Sequence, residues 1–135
     1  MSMVHLQPAG WPRPKGYANG VAVTIQPGDR LIVTAGVVGW DAEERFPAGM
    51  TAQAEQAFRN IAAILAEASA GPHHIVRMTW YITSREAYLS EARAIGEAWR
   101  AVFGKLFPAM AVVEVTALME ADAMIEIEAT AVAGA

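Results

Sequence analysis

The sequence predicts an α+β fold in which two helices pack on one face of a mixed β-sheet. Apolar residues in segment 51–70 recur with helical spacing, whereas the flanking segments are rich in Val, Ile and Thr with the alternation typical of strands. Each helical segment also lies between two strand segments, which gives the order β-β-α-β-α-β-β. We expect residues 1–135 to form one domain of this class.

The composition indicates a protein with an apolar surplus. Hydrophobic residues make up 54% of the 135 residues and charged residues only 18%, which is more apolar than most single domains of this size. We expect part of this surplus to lie in a subunit interface. The chain has no cysteine, which excludes disulfides and thiolate metal sites and fits a reducing cytoplasm.

Charge and hydropathy argue against two classes of partner. The net charge is -4, and no cluster of Lys and Arg could follow a phosphate backbone, so we do not expect nucleic acid as a partner. No apolar run reaches the roughly 18 residues of a membrane helix. The first residues also lack the basic and apolar regions of a signal peptide. The sequence therefore predicts a cytoplasmic protein without a membrane partner.

The N-terminal part predicts an extended arm followed by a hairpin. Residues 1–16 hold three prolines and two glycines, which disfavour a helix. The segments "YANGVAVTI" (17–25) and "RLIVTAGVV" (30–38) follow, with "QPGD" between them. Because Pro-Gly-Asp favours a turn, we expect these two segments to pair as a β-hairpin.

The first helix is predicted from Thr51 to Ala70. This segment is rich in Ala, Gln, Glu and Leu, and one apolar stripe follows its length. The stripe consists of Phe58, Ile61, Leu65 and Ala68. The segment "SAGPHH", with its Gly and Pro, ends the helix.

A strand and a second helix are predicted next. The segment "IVRMTWYIT" (75–83) alternates and should present Ile75, Arg77, Thr79 and Tyr81 on one side. Thr83 and Glu86 form a candidate capping box for the helix that follows. The predicted core stripe of that helix is Leu89, Ala92, Trp99 and Phe103, and Gly104 and Pro108 should end it.

Two further strands, "AMAVVEVTAL" and "MIEIEATAVA", complete the predicted sheet and are joined by the acidic loop "MEADA". Two helices can cover only one face of such a sheet. The other face carries many Val, Ala and Thr side chains, so we expect partner subunits to cover it.

Six segments in this order resemble the RidA/YjgF family of reactive-intermediate (enamine and imine) deaminases. They are "GYANGV", "IVTAGVVGWD", "QAEQAFRNIAAILAEA", "HIVRMTWYIT", "FPAMAVVEV" and "IEIEATAVA", and together they extend over almost the whole chain. The resemblance implies a chorismate-mutase-like fold, a homotrimer with a central barrel-like core, and three ligand clefts between neighbouring subunits. It implies no metal and no organic cofactor.

The resemblance also assigns candidate site residues. Tyr17 corresponds to the family's cleft tyrosine, Gly36 to a glycine whose backbone lines the pocket, and Glu126 to the cleft glutamate, which we expect to orient water or transfer a proton. Met110 stands where active deaminases carry an arginine that holds the substrate carboxylate. Val112 stands where many members have a cysteine, and Gly96 where some have an asparagine.

The chemistry of position 110 bears on activity. A guanidinium holds a carboxylate by two charge-assisted hydrogen bonds, whereas a thioether carries no charge and accepts hydrogen bonds only weakly. We therefore expect the usual reaction on 2-imino acids to be weak or absent. Arg13 or Lys15, on the arm before Tyr17, could supply the missing positive charge from another direction. The plainer interpretations are a solvated arm for these two residues and a core or interface side chain for Met110.

Strand alternation adds one structural expectation. It places Met110, Val112 and Glu114 on one side of their strand, and Glu126 and Glu128 on one side of theirs. If those two sides meet, the apolar surface formed by Met110 and Val112 has the carboxylates of the glutamates at its edge. The plainer interpretation of the two glutamates is a solvated strand face. His73 and His74 are adjacent on a turn without a third ligand at a suitable spacing, so no metal site is predicted.

Two functions stay open at this stage. The first is a trimer that binds a small metabolite between subunits and hydrolyses an imine, enamine or related C–N bond of a non-standard substrate, with release of ammonia. The second is a non-catalytic metabolite-binding or interaction module that has kept the trimer and lost the deaminase reaction.

Overall fold

The computed structural model describes residues 2–135 and contains seven strands and three α-helices. The strands are β1 (Ser2–Leu6), β2 (Gly20–Thr24), β3 (Arg30–Val33), β4 (Val37–Val38), β5 (Ile75–Ile82), β6 (Ala109–Glu114) and β7 (Ile125–Ala133). The helices are α1 (Met50–Glu67), α2 (Arg85–Ser90) and α3 (Ala92–Phe103), with a short 3₁₀ turn at Pro72–His74. The predicted α+β class is confirmed.

A five-stranded mixed sheet forms the centre of the fold. Its order is β3-β7-β5-β6, and β4 pairs with β7 as well. The β5–β6 pair is parallel, and the other pairs in this sheet are antiparallel. The parallel pair needs a crossover connection, which α2 and α3 provide.

The predicted hairpin between segments 17–25 and 30–38 does not form. The turn itself exists: the backbone N–H of Asp29 donates to Gln26 O at 3.0 Å, and the Asp29 carboxylate accepts from Gln26 N at 2.8 Å. The strands diverge, however, because β2 pairs with β1 in a separate two-stranded sheet, whereas β3 pairs with β7. The turn predicted from the residues of "QPGD" forms, but the pairing of the two strands depends on residues far away in the sequence.

The helices cover one face of the sheet, as predicted. Phe58, Ile61 and Leu65 of α1 are fully buried, and Trp80 and Trp99 pack around Phe58 with ring centroids 5.3 Å from it. Side chains that alternate along β5 and β7 complete this core: Met78, Trp80, Ile82, Ile125, Ile127 and Ala129. Ile75 also lies in the core, because a register shift between Ile75 and Arg77 takes it off the side that it was predicted to share with Arg77, Thr79 and Tyr81.

The predicted second helix is two helices that meet at Glu91. Its side chain accepts hydrogen bonds from Thr51 N at 3.2 Å and from Thr51 Oγ1 at 2.6 Å, which ties the junction to the start of α1. Leu89 is 57% exposed, because the break removes it from the stripe that buries Trp99 and Phe103; Ala92 of the predicted stripe is exposed as well.

The start of the second helical segment also differs from the prediction. The capping residue is Ser84 rather than Thr83, and its hydroxyl accepts from Ala87 N at 3.0 Å.

The second face of the sheet is uncovered in the single chain. It presents Leu31 and Val33, which are 70% and 65% exposed, together with Val113, which is 41% exposed. No helix within residues 2–135 is long and apolar enough to cross a membrane.

Candidate functional site

Gly36 and Glu126, two of the predicted site residues, are in direct contact. Residues 34–36 separate β3 from β4. Within them, the backbone N–H of Thr34 donates to Ala129 O at 2.9 Å, and the Thr34 hydroxyl accepts from Ala129 N at 3.0 Å. A Cβ added to Gly36 would lie 2.6 Å from Glu126 Oε2. The absence of a side chain at position 36 therefore lets the Glu126 carboxylate lie directly against the backbone.

Glu126 lies on the uncovered face of the sheet in a polar group with Arg77, Tyr81 and Glu128. The hydroxyl of Tyr81 donates to Glu128 Oε1. This hydrogen bond, with the nearby carboxylate charges, raises the pKa of Tyr81 above its usual value. Within residues 2–135, the Glu126 carboxylate accepts no hydrogen bond.

Met110 and Val112 lie on the opposite face of the sheet from Glu126. The β5–β6 register pairs Met110 with Met78 and Val112 with Trp80, and both partners point into the core beneath the helices. Glu126 instead pairs with Tyr81 on the uncovered face. Within one chain these two sides therefore do not meet, because adjacent strands in register present paired residues on the same face.

A cavity of about 470 Å³ lies beside Met110, between α3, the start of β6 and the N-terminal arm. Lys15 lines it together with Met110 and Gly96, whereas Arg13 does not. Of the two cations considered from the sequence, Lys15 is thus the one placed near position 110.

Tyr17 is 39% exposed and lines a neighbouring hollow with Arg13 and Phe107. The adjacent Ala18 is fixed to the start of β6, because its N–H donates to Pro108 O at 3.0 Å. The predicted site residues therefore fall into two groups. Tyr17 and Met110 lie at the start of β6, and Gly36 and Glu126 lie on the uncovered face.

The sequence did not identify most of the groups that line the cavity. Its further lining includes Arg100 and Lys105, near the C-terminal end of α3, and the aromatic residues Trp80, Tyr88 and Trp99. The apolar stripe of the second helical segment marked Trp99 as buried, but no sequence signal distinguished a core wall from a cavity wall. Among residues 2–135, no group of three or more His, Asp or Glu side chains is arranged to hold a metal ion.

Comparisons with known proteins agree with this architecture. The sequence model of the family described as Endoribonuclease L-PSP matches residues 13–133. The chain is 32% identical over 108 residues to the RutC family protein UK114 of Drosophila melanogaster, covering 78% of this chain and 75% of that protein. The same identity and coverage hold for the 2-iminobutanoate/2-iminopropanoate deaminase of Capra hircus.

A solved structure shows the same fold. The conserved Rid family protein YyfB from Yersinia pestis superimposes with a TM-score of 0.81 at 28% identity, covering 97% of this chain and 98% of that one.

Proposed function

The chain belongs to the RidA/YjgF family, and on that premise we propose that it is a homotrimer that binds a small metabolite in clefts between neighbouring subunits and hydrolyses a C=N bond there. The observation that carries this proposal is the placement of Met110 and Glu126 on opposite faces of the sheet. Residues that cannot meet within one chain meet only if a second copy supplies one of them.

The uncovered face supports the subunit interface. Leu31 and Val33 are largely exposed there although they are aliphatic, and burying such side chains against a partner is favourable by about 1.5–3 kcal/mol each when complete. The polar group around Glu126 lies on the same face. A neighbouring protomer packed on this face would therefore bring its own residues next to Glu126.

The proposed reaction needs only a positioned carboxylate and water. Glu126 accepts a proton as the water oxygen attacks the imine carbon, and it returns that proton to the nitrogen. The hydroxyl formed from the water then gives its remaining proton, by way of Glu126, to the nitrogen while the C–N bond breaks and the carbonyl forms, which releases ammonia. The deaminase activity in the name of the Capra hircus relative supports this reaction class.

The second candidate function is a binding module without catalysis. The observation that favours it is Met110, whose thioether offers no charge to a substrate carboxylate. The cavity beside Met110 would then hold a regulatory metabolite. The predicted cytoplasmic location and the predicted lack of a nucleic-acid partner apply equally to both candidates and stay predictions.

Subunit complementation tests the proposal. Imino acids are generated in the assay by an amino-acid oxidase, and their hydrolysis is measured with the native chain, with Met110→Arg, and with the double variant Met110→Arg/Glu126→Gln. We expect weak activity in the native chain, a gain of roughly 10- to 100-fold in Met110→Arg, and a loss of that gain in the double variant.

Mixed trimers of the double variant and the native chain give the decisive result. If the cleft combines position 110 of one subunit with Glu126 of the next, co-refolded mixtures regain activity that neither chain has alone. Mixtures that stay inactive, or a monomer by analytical ultracentrifugation, would contradict the shared cleft. Native activity equal to that of Met110→Arg would show that the methionine does not limit the reaction.

A further inference from the structure

Two glutamates of β7 share the uncovered face of the sheet but differ in their partners. Glu126 and Glu128 are two residues apart on the strand, so their Cα atoms lie roughly 6.5 Å apart on the same face. The register places Tyr81 directly opposite Glu126, yet its hydroxyl reaches diagonally and donates to Glu128 Oε1. The Glu126 carboxylate instead lies against the backbone at Gly36. One hydroxyl therefore separates two side chains of identical chemistry.

Few charged groups face this pair of carboxylates. The strand β5 contributes Arg77 and Tyr81 to the same face. Residues 34–38 and 109–113, on the two flanking sides, contain no charged side chain. Within the described residues, Arg77 forms no ion pair, so neither carboxylate is neutralised by a salt bridge. Among residues 2–135, the Tyr81 hydroxyl is the one side-chain donor that engages either of them.

The Tyr81 hydroxyl is a persistent donor. Its hydrogen bond to Glu128 raises the pKa of Tyr81; partial burial and the charges of Glu128 and Glu126 add to this rise, and the charge of Arg77 opposes it. An ordinary phenol already titrates near pH 10, so this hydroxyl stays protonated across the neutral range. It therefore donates at every pH at which a glutamate acts as a base.

Loss of this hydrogen bond would release the Glu128 side chain beside Glu126. Neighbouring carboxyl groups do not both ionise easily, and such a pair shares a proton that one member alone would have lost. A shared proton leaves less of the carboxylate base that the proposed reaction needs. A released Glu128 would also compete for the attacking water.

We propose that Tyr81 is a positioning residue for the proposed reaction: its hydroxyl holds Glu128 away from Glu126, so that Glu126 alone binds the attacking water and takes its proton. This inference rests on the proposed function and adds a residue to its site. Tyr81 acts through Glu128 and does not contact the substrate. The two glutamates are thus one base and one restrained carboxylate.

Kinetics with a second-site variant test the inference. Hydrolysis of imino acids is measured in the native chain and in Met110→Arg, each with Tyr81→Phe, with Glu128→Gln and with both changes. We expect Tyr81→Phe to lower kcat about 10-fold with KM changed less than about twofold, and Glu128→Gln to restore kcat in the combined variant to within about threefold.

Thr79→Val is the matched control. It removes a hydroxyl from the same face of β5 that makes no hydrogen bond to either carboxylate, so kcat should change less than about twofold. An equal loss of kcat in Tyr81→Phe and in Tyr81→Phe/Glu128→Gln would overturn the inference, because Tyr81 would then act without Glu128. An unchanged kcat in Tyr81→Phe would also overturn it and leave the proposed function standing.

The pH–rate profile adds a readout that a general loss of packing would not change. In Tyr81→Phe, the acidic limb of the profile should move to higher pH, since two carboxylates that share a proton lose it later. In Tyr81→Phe/Glu128→Gln, the limb should return to its native position. A limb that stays in place in Tyr81→Phe would overturn the inference.

An NMR titration of carbon-13 labels on the Glu carboxyl groups probes the same pair without any hydrolysis. The two signals are assigned from Glu126→Gln and Glu128→Gln. We expect each carboxyl to titrate in a single step in the native chain, and the pair to titrate in coupled steps in Tyr81→Phe. Coupled steps without hydrolysis, in the native chain or in Met110→Arg, would support the separation of the carboxylates by Tyr81 and refute the hydrolytic function. Single steps in Tyr81→Phe would overturn the inference whatever the activity.

Discussion

Two glycines three residues apart should respond in opposite ways to the same substitution. A Cβ at Gly39 would overlap the carbonyl oxygen of Gln53 and lie 2.7 Å from its carbonyl carbon and 2.8 Å from its Cα. Carbon atoms in contact prefer about 3.5–4.0 Å, so the backbone of α1 would have to retreat by roughly 1 Å. Gly39→Ala should therefore destabilise the fold by about 1–3 kcal/mol or more, partly offset by about 0.4–1 kcal/mol from a less flexible unfolded chain.

At Gly36, the three atoms nearest the added Cβ are Oε2, Cδ and Cγ of the Glu126 side chain, which can rotate away. Gly36→Ala should cost less than about 1 kcal/mol in stability, but it should displace the carboxylate and reduce any hydrolysis that Glu126 supports. Gly134→Ala is the matched control, because its nearest neighbour would be Asp29 Oδ1 at an ordinary 3.9 Å.

Thermal unfolding followed by circular dichroism measures the difference. For a chain of this length, 1 kcal/mol corresponds to about 3–5 °C in Tm, so Gly39→Ala should melt roughly 3–15 °C below Gly134→Ala. Gly36→Ala should melt within about 5 °C of the same control. If Gly39→Ala were as stable as Gly134→Ala, the close packing of β4 and its adjoining loop on α1 would be refuted.

Two further predictions concern stability. Gln53 is 3% exposed, and its side chain donates to Asp122 O at 3.0 Å and to Pro47 O at 3.3 Å and accepts from Met124 N at 2.8 Å. Gln53→Leu should therefore lower the free energy of unfolding by about 1–3 kcal/mol for each buried group that is left unpaired. Urea titration measures this change. An unchanged urea midpoint would contradict this. Burial, together with the positive charges of His73 and Arg30, lowers the pKa of His74 below 6.5. The folded state therefore binds fewer protons than the unfolded state below pH 6.5. As a result, the free energy of unfolding should fall as the pH drops from 6.5 through the pKa of folded His74. His74→Asn should flatten that part of the stability–pH curve, whereas His73→Asn should keep most of the slope; equal slopes in both variants would refute the assignment to His74.

Local pattern was sufficient for several parts of the fold. The stripe of Phe58, Ile61 and Leu65 gave the buried face of α1, because a 3.6-residue period leaves one side of a helix apolar whatever it packs against. Alternation likewise placed Arg77, Thr79 and Tyr81 together on one face of β5. The resemblance of six ordered segments gave the family, which the sequence and structure comparisons confirm.

The local sequence pattern was not sufficient to predict strand pairing or the division of the second helix, because contacts between distant residues determine both. The turn at Gln26–Asp29 forms, yet the strands it joins enter different sheets, since pairing depends on partners such as β7 that lie about 100 residues away. The second helical segment is divided at Glu91, whose side chain accepts hydrogen bonds from Thr51, a contact that no spacing within the helix reveals.

The sequence by itself determined the α+β class and the family, because these depend on residue identity and order along the chain. Only the tertiary structure decided that Met110 and Glu126 lie on opposite faces of the sheet, and that Lys15, Arg100 and Lys105 line one cavity beside Met110. The physical reason is that strand register and chain crossover, which are set by non-local packing, determine which side chains share a face and a site.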